Sequence, residues 1–148
     1  MSIELRVHQK DATPNVVNYL RKHKGKKNPI VALPTGAGKS YCIADFVMWA
    51  LRNRRKVLVV SHVYEIIAQN AKSIQDYTGM SVGLYSAKAN RFEIKDVTAA
   101  SIQSIYRKPE LFQQFDYIIV DECHRISYDE DSMYRKLRAV LTAPWIGY

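Results

Sequence analysis

The segment LPTGAGKS, at residues 33–40, decides the fold that this sequence predicts. Apolar residues at 30–33 lead into it and indicate a short buried strand. Behind it, apolar side chains recur at helical spacing, namely Ile43, Phe46, Val47, Ala50 and Leu51. The order of strand, glycine turn, lysine, hydroxyl and helix is typical of the loop that binds phosphate in nucleotide hydrolases.

The residues of this turn suit that chemistry. Gly36 and Gly38 allow backbone N–H groups to approach a phosphate without an intervening Cβ, and the helix N-terminus adds partial positive charge. Lys39 is then expected to reach the β- and γ-phosphates of a nucleotide, and the Ser40 hydroxyl to bind Mg²⁺. Leu33 stands where the general pattern has a glycine, so the alternative is a glycine-rich turn with an incidental lysine.

A second polar segment, DECH at residues 121–124, follows the apolar run Tyr117–Val120. Two acidic residues directly after a buried strand cost free energy of desolvation, so we expect them to have a functional role. Asp121 is predicted to hold Mg²⁺, and Glu122 to polarise the attacking water. The alternative is a capping pair at a strand-to-helix turn.

Hydrophobic patterning predicts an α/β fold. Apolar runs at 57–60, 82–85, 97–100 and 117–120 indicate strands that alternate with helices, which predicts a mainly parallel sheet with helices on both faces. One helix is expected to begin with Thr13 as its cap and Pro14 at its first position. The phosphate loop and the DECH turn fall at the carboxyl ends of strands, where such folds bind ligands.

Composition limits the class of protein. The 148 residues carry a net charge of +8, which favours a polyanionic partner, with simple solubility as the alternative. Basic runs at 21–27 and 52–56 are interpreted as solvated turns. No apolar run approaches the length of a membrane span. Cys42 and Cys123 lack metal-site spacing, so a reduced, cytoplasmic protein is expected.

Other polar residues are weaker candidates. The Gln9 amide could pair with the adenine edge, although a surface glutamine is the default interpretation. Polar groups at strand ends could hold nucleic-acid phosphates, and His62 could equally be structural. The candidates at three such stretches are Ser61 and His62, then Tyr85, Ser86 and Lys88, and finally Ser101, Gln103 and Ser104.

Five segments, in this order, resemble the motifs of superfamily-two helicases: LRVHQ at 5–9, LPTGAGKS at 33–40, VLVVSHVYEIIAQN at 57–70, VTAASIQS at 97–104 and DECH at 121–124. Residues 1–148 therefore resemble the N-terminal RecA-like domain of the DEAH/DECH-box group. Within that group, the sequence is most similar to bacterial and phage repair or branch-migration helicases of the RadD and UvsW types.

The resemblance implies hydrolysis of ATP with Mg²⁺, coupled to movement on nucleic acid through backbone contacts, with DNA favoured over RNA. It assigns Arg6 and Gln9 to adenine, and His124 to the link between the ATP and nucleic-acid sites. The implied phosphate-binding residues are Thr35, Gly36, Ala37, Gly38, Lys39 and Ser40. The implied catalytic and metal residues are Lys39, Asp121, Glu122 and His124, with Mg²⁺ on Ser40 and Asp121.

Such helicases have a second RecA-like domain, which supplies arginine fingers and which these residues do not encode. Their third motif follows a strand, whereas the similar residues 142–144 directly follow a predicted helix. We therefore expect the chain to stop just before that motif, with residues 145–148 as a strand that is poorly ordered or irregularly paired. The alternatives are a nucleic-acid-binding or regulatory module without turnover, and an RNA helicase domain.

Overall fold

The computed structural model describes residues 3–6, 9–33, 38–123 and 126–148. These residues form five α-helices and eight strands. The helices are α1 (Ala12–Lys22), α2 (Lys39–Arg52), α3 (Tyr64–Thr78), α4 (Ile102–Ile105) and α5 (Tyr128–Arg138). The strands are β1 (Ile3–Arg6), β2 (Pro29–Ala32), β3 (Val57–Ser61), β4 (Gly83–Ser86), β5 (Arg91–Phe92), β6 (Val97–Ser101), β7 (Tyr117–Val120) and β8 (Trp145–Gly147).

The strands form one sheet in the order β1-β2-β8-β7-β3-β6-β4-β5. Neighbours are parallel, apart from the antiparallel pair of β4 with β5. This confirms the predicted α/β fold with a mainly parallel sheet. The strands predicted from apolar runs include β2, β3, β4, β6 and β7, whereas β1 and β5 have no counterpart among the predicted strands. None of the helices in the described ranges combines the length and apolar character that a membrane span requires.

Alternating side chains of the sheet divide the core between its two faces. In β3, Val57 and Val59 pack in a core with α1, α2 and α3, whereas Leu58 and Val60 pack in another with α4 and α5. This alternation follows from the period of two along a strand. Because both faces are covered, β3 and β6 are buried along their whole length and are mainly apolar.

The ends of the helices explain two features of the sequence. At α5, the Ser127 hydroxyl accepts a hydrogen bond from the Glu130 backbone N–H and the Glu130 side chain accepts one from the Ser127 N–H, so this helix begins with a capping box. At α1, the predicted cap is wrong. A 3-10 turn at Gln9–Asp11 continues directly into the helix, so Thr13 lies inside it, buried, and makes no capping contact.

The position of β8 corrects the expectation for residues 145–148. Far from being poorly paired, β8 lies between β2 and β7 and is parallel to both. Trp145 and Ile146 are buried, and the Trp145 backbone N–H donates to the Asn28 side-chain carbonyl at 2.9 Å. Two neighbouring strands supply hydrogen bonds and apolar contacts, so even a three-residue strand is well fixed here.

We expect Ile146→Ala to destabilise the protein by about 2–5 kcal/mol, because it leaves a cavity in the middle of the sheet. The control is Ile94→Ala at a side chain that is 39% exposed, where the loss should stay below about 1 kcal/mol. Urea unfolding followed by circular dichroism measures both. Equal stability losses would contradict the central position of β8.

Candidate functional site

Three charged side chains meet at the carboxyl edge of the sheet. Lys39, the first residue of α2, places its Nζ 2.7 Å from Asp121 Oδ1 and 2.6 Å from Glu122 Oε1. The two acids directly follow β7, while the helix that carries the lysine follows β2, and β8 lies between these strands. The structure thus brings together the cation and the two carboxylates that the sequence singled out separately.

Gly38 and Glu122 fix the two turns that carry these charges. Gly38 has φ 73° at the residue that precedes α2, a left-handed conformation that glycine adopts without strain. Glu122 has φ 58°, in the same region, which costs a residue with a Cβ about 1–3 kcal/mol. Such strain persists only where the surroundings impose it, and here the turn directs both acids toward one lysine.

Asp121 is held by two donors inside the protein. It is 1% exposed, its Oδ2 accepts from Asn70 Nδ2 at 2.7 Å, and its Oδ1 accepts from the Glu122 backbone N–H at 2.8 Å. A buried carboxylate needs such partners, because each lost hydrogen bond leaves charge without solvation. These bonds fix the carboxylate for the contact with Lys39.

Asn70 is a site residue that the sequence interpretation missed, although a signal was available. It lies on α3 three residues after Ile67 and four before Ile74, and all three are buried. An amide on the buried stripe of a helix must find a polar partner. The partner, Asp121, directly follows a strand and is 51 residues away in the chain, so the sequence alone does not identify it.

The Lys39 ammonium is stabilised in its charged form. Partial burial disfavours the charge, but the hydrogen bonds and attraction of Asp121 and Glu122 outweigh that effect, so the pKa of Lys39 is raised. A raised pKa means that the ion pairs stabilise the fold at neutral pH and are lost when the pH rises through that value. The site therefore holds a fixed cation at the start of a helix.

The residues at this edge fit Mg²⁺. Ser40 is half-buried next to Lys39, and Lys39 contacts Asp121, which supplies a carboxylate to accompany the hydroxyl. Within the described ranges, no cluster of three or more histidine, cysteine or acidic side chains could form an all-protein metal site. Mg²⁺ does not require one, since it is usually bound through one or two protein oxygens plus phosphates and water.

Several predicted site residues lie outside the described part of the chain. These are Thr35, Gly36 and Ala37 of the phosphate loop, and His124 of the DECH segment. For Arg6 and Gln9 only the backbone is described: Arg6 ends β1, the strand beside β2, and Gln9 begins the 3-10 turn before α1. Their assignment to adenine therefore stays a prediction.

Two of the predicted nucleic-acid stretches meet at the ends of β3 and β6. Gln103 Nε2 donates to the His62 carbonyl at 3.1 Å, and the buried Ser61 hydroxyl accepts from the Val63 backbone N–H at 3.2 Å. The Nδ1 atom of His62 is buried without a partner in the described structure. These contacts join the two loops, and they leave Gln103 exposed.

The third stretch divides into buried and exposed parts. Tyr85 is 5% exposed and packs edge-on against Phe92 and Phe112, so its ring belongs to the core and does not face solvent. Ser86 is also buried. Lys88 is exposed, and its Nζ lies 3.5 Å from Glu65 and over the Tyr64 ring.

A pair of hydroxyl groups connects the loop after β4 to the start of α4. Ser101 donates to the Ser104 hydroxyl at 2.7 Å, and the Ser104 hydroxyl accepts from the Ala87 backbone N–H at 3.0 Å. The serines thus fix the loop geometry, and Gln103 and Lys88 are the exposed side chains among the predicted nucleic-acid residues.

The fold and this cluster define a class of protein. A mainly parallel sheet with a lysine at the start of the helix after β2, and an acidic pair directly after β7, is the arrangement of a RecA-like domain of the superfamily-two helicase type. A family model described as "Type III restriction enzyme, res subunit" matches residues 2–147. The chain belongs to that family.

Relatives and solved structures agree with this placement. The type I restriction enzyme EcoAI endonuclease subunit of Escherichia coli is 25% identical over 122 residues, which cover 76% of this chain and 15% of the relative. The DNA 3'-5' translocase XPB2 of Sulfurisphaera tokodaii is 29% identical over 138 residues, or 93% of this chain and 29% of the relative. The chain thus spans less than a third of either relative.

The crystal structure of UvsW from bacteriophage T4 has the same fold. It superposes with a TM-score of 0.63 at 22% identity, and the match covers 94% of this chain and 29% of that chain.

We expect Asn70→Ala to destabilise the protein by about 1–3 kcal/mol, because a buried Asp121 oxygen loses its donor. The matched control is Gln69→Ala, one residue earlier on the exposed side of α3, which should change stability by less than about 0.5 kcal/mol. Thermal unfolding monitored by circular dichroism compares them. A neutral effect of Asn70→Ala would show that Asp121 is not held by this amide.

Proposed function

We propose that this chain is the ATP-binding half of a DNA helicase or translocase. The observation that carries the proposal is the contact of Lys39 with both Asp121 and Glu122 at the carboxyl edge of the sheet. A structural ion pair would need only one acid. A lysine shared by two acids, at the N-terminus of a helix and after a glycine turn, suits a site in which phosphate replaces one of the carboxylates.

In the proposed mechanism, Lys39 moves from the acids to the β- and γ-phosphates when Mg·ATP binds. Ser40 and Asp121 would hold Mg²⁺, which would supply positive charge to neutralise the phosphates. The release of Lys39 leaves Glu122 to accept the proton of the attacking water. We assign the remaining contacts of the phosphates to residues 35–38, and the link to nucleic acid to His124.

The nucleic-acid contact is proposed for the same edge of the sheet, through the loops after β3, β4 and β6. Hydrogen bonds already join these loops, from Gln103 to His62 and from the Ala87 N–H to Ser104. Contacts between such loops and the phosphate backbone of a nucleic acid position the nucleic acid without reading its sequence. DNA is favoured over RNA because a relative at 29% identity is called a DNA translocase.

We propose that the activity serves DNA repair, recombination or replication. We also propose that the protein is cytoplasmic and belongs to the DECH-box group, with similarity to helicases of the RadD and UvsW types. In the proposed complete enzyme there is a second RecA-like domain, whose arginines face the γ-phosphate across the cleft between the two domains. The second domain is supported by the fact that both relatives are much longer than the matched region, which covers 15% and 29% of their lengths.

Lys39→Ala should remove most of the affinity for Mg·ATP, because it deletes the cation at the start of α2. Glu122→Gln should keep that affinity and, in the two-domain protein, lose hydrolysis, because an amide cannot take up the proton. Calorimetry measures binding, and phosphate release measures turnover. Lys72→Ala, an exposed lysine on α3, is the control and should behave like the wild type.

A thermal melt without nucleotide must accompany this comparison, since Lys39→Ala also leaves two acids without their cation. Unchanged ATP affinity in a folded Lys39→Ala protein would refute the site.

The isolated 148-residue chain should bind ATP weakly and barely hydrolyse it, with or without DNA. Arginine fingers are worth about 10³–10⁵ in rate in related hydrolases, and half a cleft leaves water at the phosphates. Phosphate release with and without single-stranded DNA tests this. Robust DNA-stimulated hydrolysis that Glu122→Gln abolishes would show that the second domain is not required.

A further inference from the structure

A dense group of cations lies at the amino edge of the sheet, opposite the Lys39 cluster. Two helices end there, since α1 leads into β2 and α2 leads into β3. We call this group the amino-edge basic surface. It consists of Arg21, Lys22, Lys24, Lys26 and Lys27 near the end of α1, and of Arg52, Arg54, Arg55 and Lys56 near the end of α2.

Few acids balance these charges. Arg55 lies 3.8 Å from Asp116, and Lys56 lies 3.8 Å from Asp96. Within the described ranges, no carboxylate lies within ion-pair distance of Arg21 or Lys24. The described residues therefore compensate only a part of the positive charge at this edge.

The two basic turns have fixed backbones. Lys24 and Arg54 have φ values of 53° and 58°, in the left-handed region that glycine usually occupies. In each turn the next residue's N–H bonds back to its helix: Gly25 to the Leu20 carbonyl and Arg55 to the Ala50 carbonyl, both at 2.9 Å. These turns thus present cations from a defined framework.

Between the turns lies a cavity of about 400 Å³ with aromatic walls. Trp49 and Tyr117 line it with ring centroids 5.9 Å apart, and both rings are half-buried. Arg21, Lys24 and Arg55 also line it. Its volume falls in the range of small-ligand sites, and it combines flat apolar surfaces with cations.

Helix stabilisation explains only part of this arrangement. Cations in the last turn favour the negative end of a helix, which accounts for Arg21, Lys22 and Arg52. That effect fades beyond the last turn, so it does not explain the cations at Lys26 and Lys27. It also does not explain why two aromatic rings line a cavity among them.

We propose that the amino-edge basic surface is a second nucleic-acid site, in which this cavity takes one unpaired nucleotide of a single strand. The base would lie against Trp49 and Tyr117, and Arg21, Lys24 and Arg55 would hold the neighbouring phosphates. Stacking on aromatic rings beside a cationic groove is how single strands are bound without sequence preference. A base inside a duplex is stacked and paired, so it does not enter such a cavity.

This site goes beyond the proposed motor function and does not depend on it. The carboxyl-edge loops lie at the opposite edge of the same sheet. A single nucleic-acid strand that is bound at both edges would therefore stay near the domain when one of the two contacts opens. The second contact then acts at a raised effective concentration.

The first test is the affinity for a fluorescein-labelled oligothymidylate, measured by anisotropy at several salt concentrations. Arg21→Gln/Lys24→Gln should weaken binding about tenfold at low salt. It should also reduce the slope of log affinity against log salt by about 1.4, the value for two lost phosphate contacts on a single strand. The control Lys72→Gln/Lys108→Gln removes the same charge at exposed lysines elsewhere and should leave both quantities unchanged.

The second test uses tryptophan fluorescence, because Trp49 lines the cavity and the other tryptophan, Trp145, is buried in β8. Unlabelled oligothymidylate should quench the wild type and the Lys72→Gln/Lys108→Gln control. It should not quench Arg21→Gln/Lys24→Gln, nor Trp49→Phe, in which only Trp145 emits. If Trp49→Phe does not fold, the two double variants, which change exposed residues only, still decide the question.

Three results would overturn the proposal. The first is equal oligothymidylate affinity in the two double variants, and the second is no quenching of the wild type. The third is equal quenching by duplex DNA, polyglutamate or free thymidine monophosphate. That result would indicate a general polyanion surface or a free-nucleotide site in place of a single-strand site.

Discussion

The contact of Lys39 with Asp121 and Glu122 is the interaction on which the rest of the site depends. Burying charge is expensive, and an ion pair in a protein is stable only when its remaining hydrogen bonds are satisfied. Asn70 and the Glu122 backbone N–H provide those bonds to Asp121. The cluster therefore ties α2, α3 and the end of β7 together at the edge where parallel sheets bind ligands.

The strand β8 sets the distance that this cluster has to span. It separates β2, which precedes α2 and Lys39, from β7, which directly precedes Asp121 and Glu122. The Tyr148 N–H bonds the Val120 carbonyl at 2.9 Å, and the Cys123 N–H bonds the Tyr148 carbonyl at 3.3 Å. The last residues of the chain thus hold the backbone on both sides of the acidic turn, which links the stability of the sheet to the geometry of the site.

The two edges of the sheet have different electrostatic characters. At the carboxyl edge, Lys39 forms ion pairs with two acids, Asp121 and Glu122. At the amino edge, the two basic turns have few acidic partners among the described residues. A parallel sheet produces this contrast naturally, because all its strand ends of one kind meet at the same edge, and each edge receives its own set of loops.

The sequence by itself determined the strands β3, β4, β6 and β7, the α/β class and the choice of Lys39, Asp121 and Glu122 as candidate site residues. Periodicity and residue type are local, and parallel strands deliver their ends to one edge whatever their order. Only the tertiary structure decided that β8 is central, that Asn70 holds Asp121, that Tyr85 is a core residue and that the two basic runs flank an aromatic cavity. Each of these depends on which distant segments become neighbours, and that is decided by packing across the whole sheet.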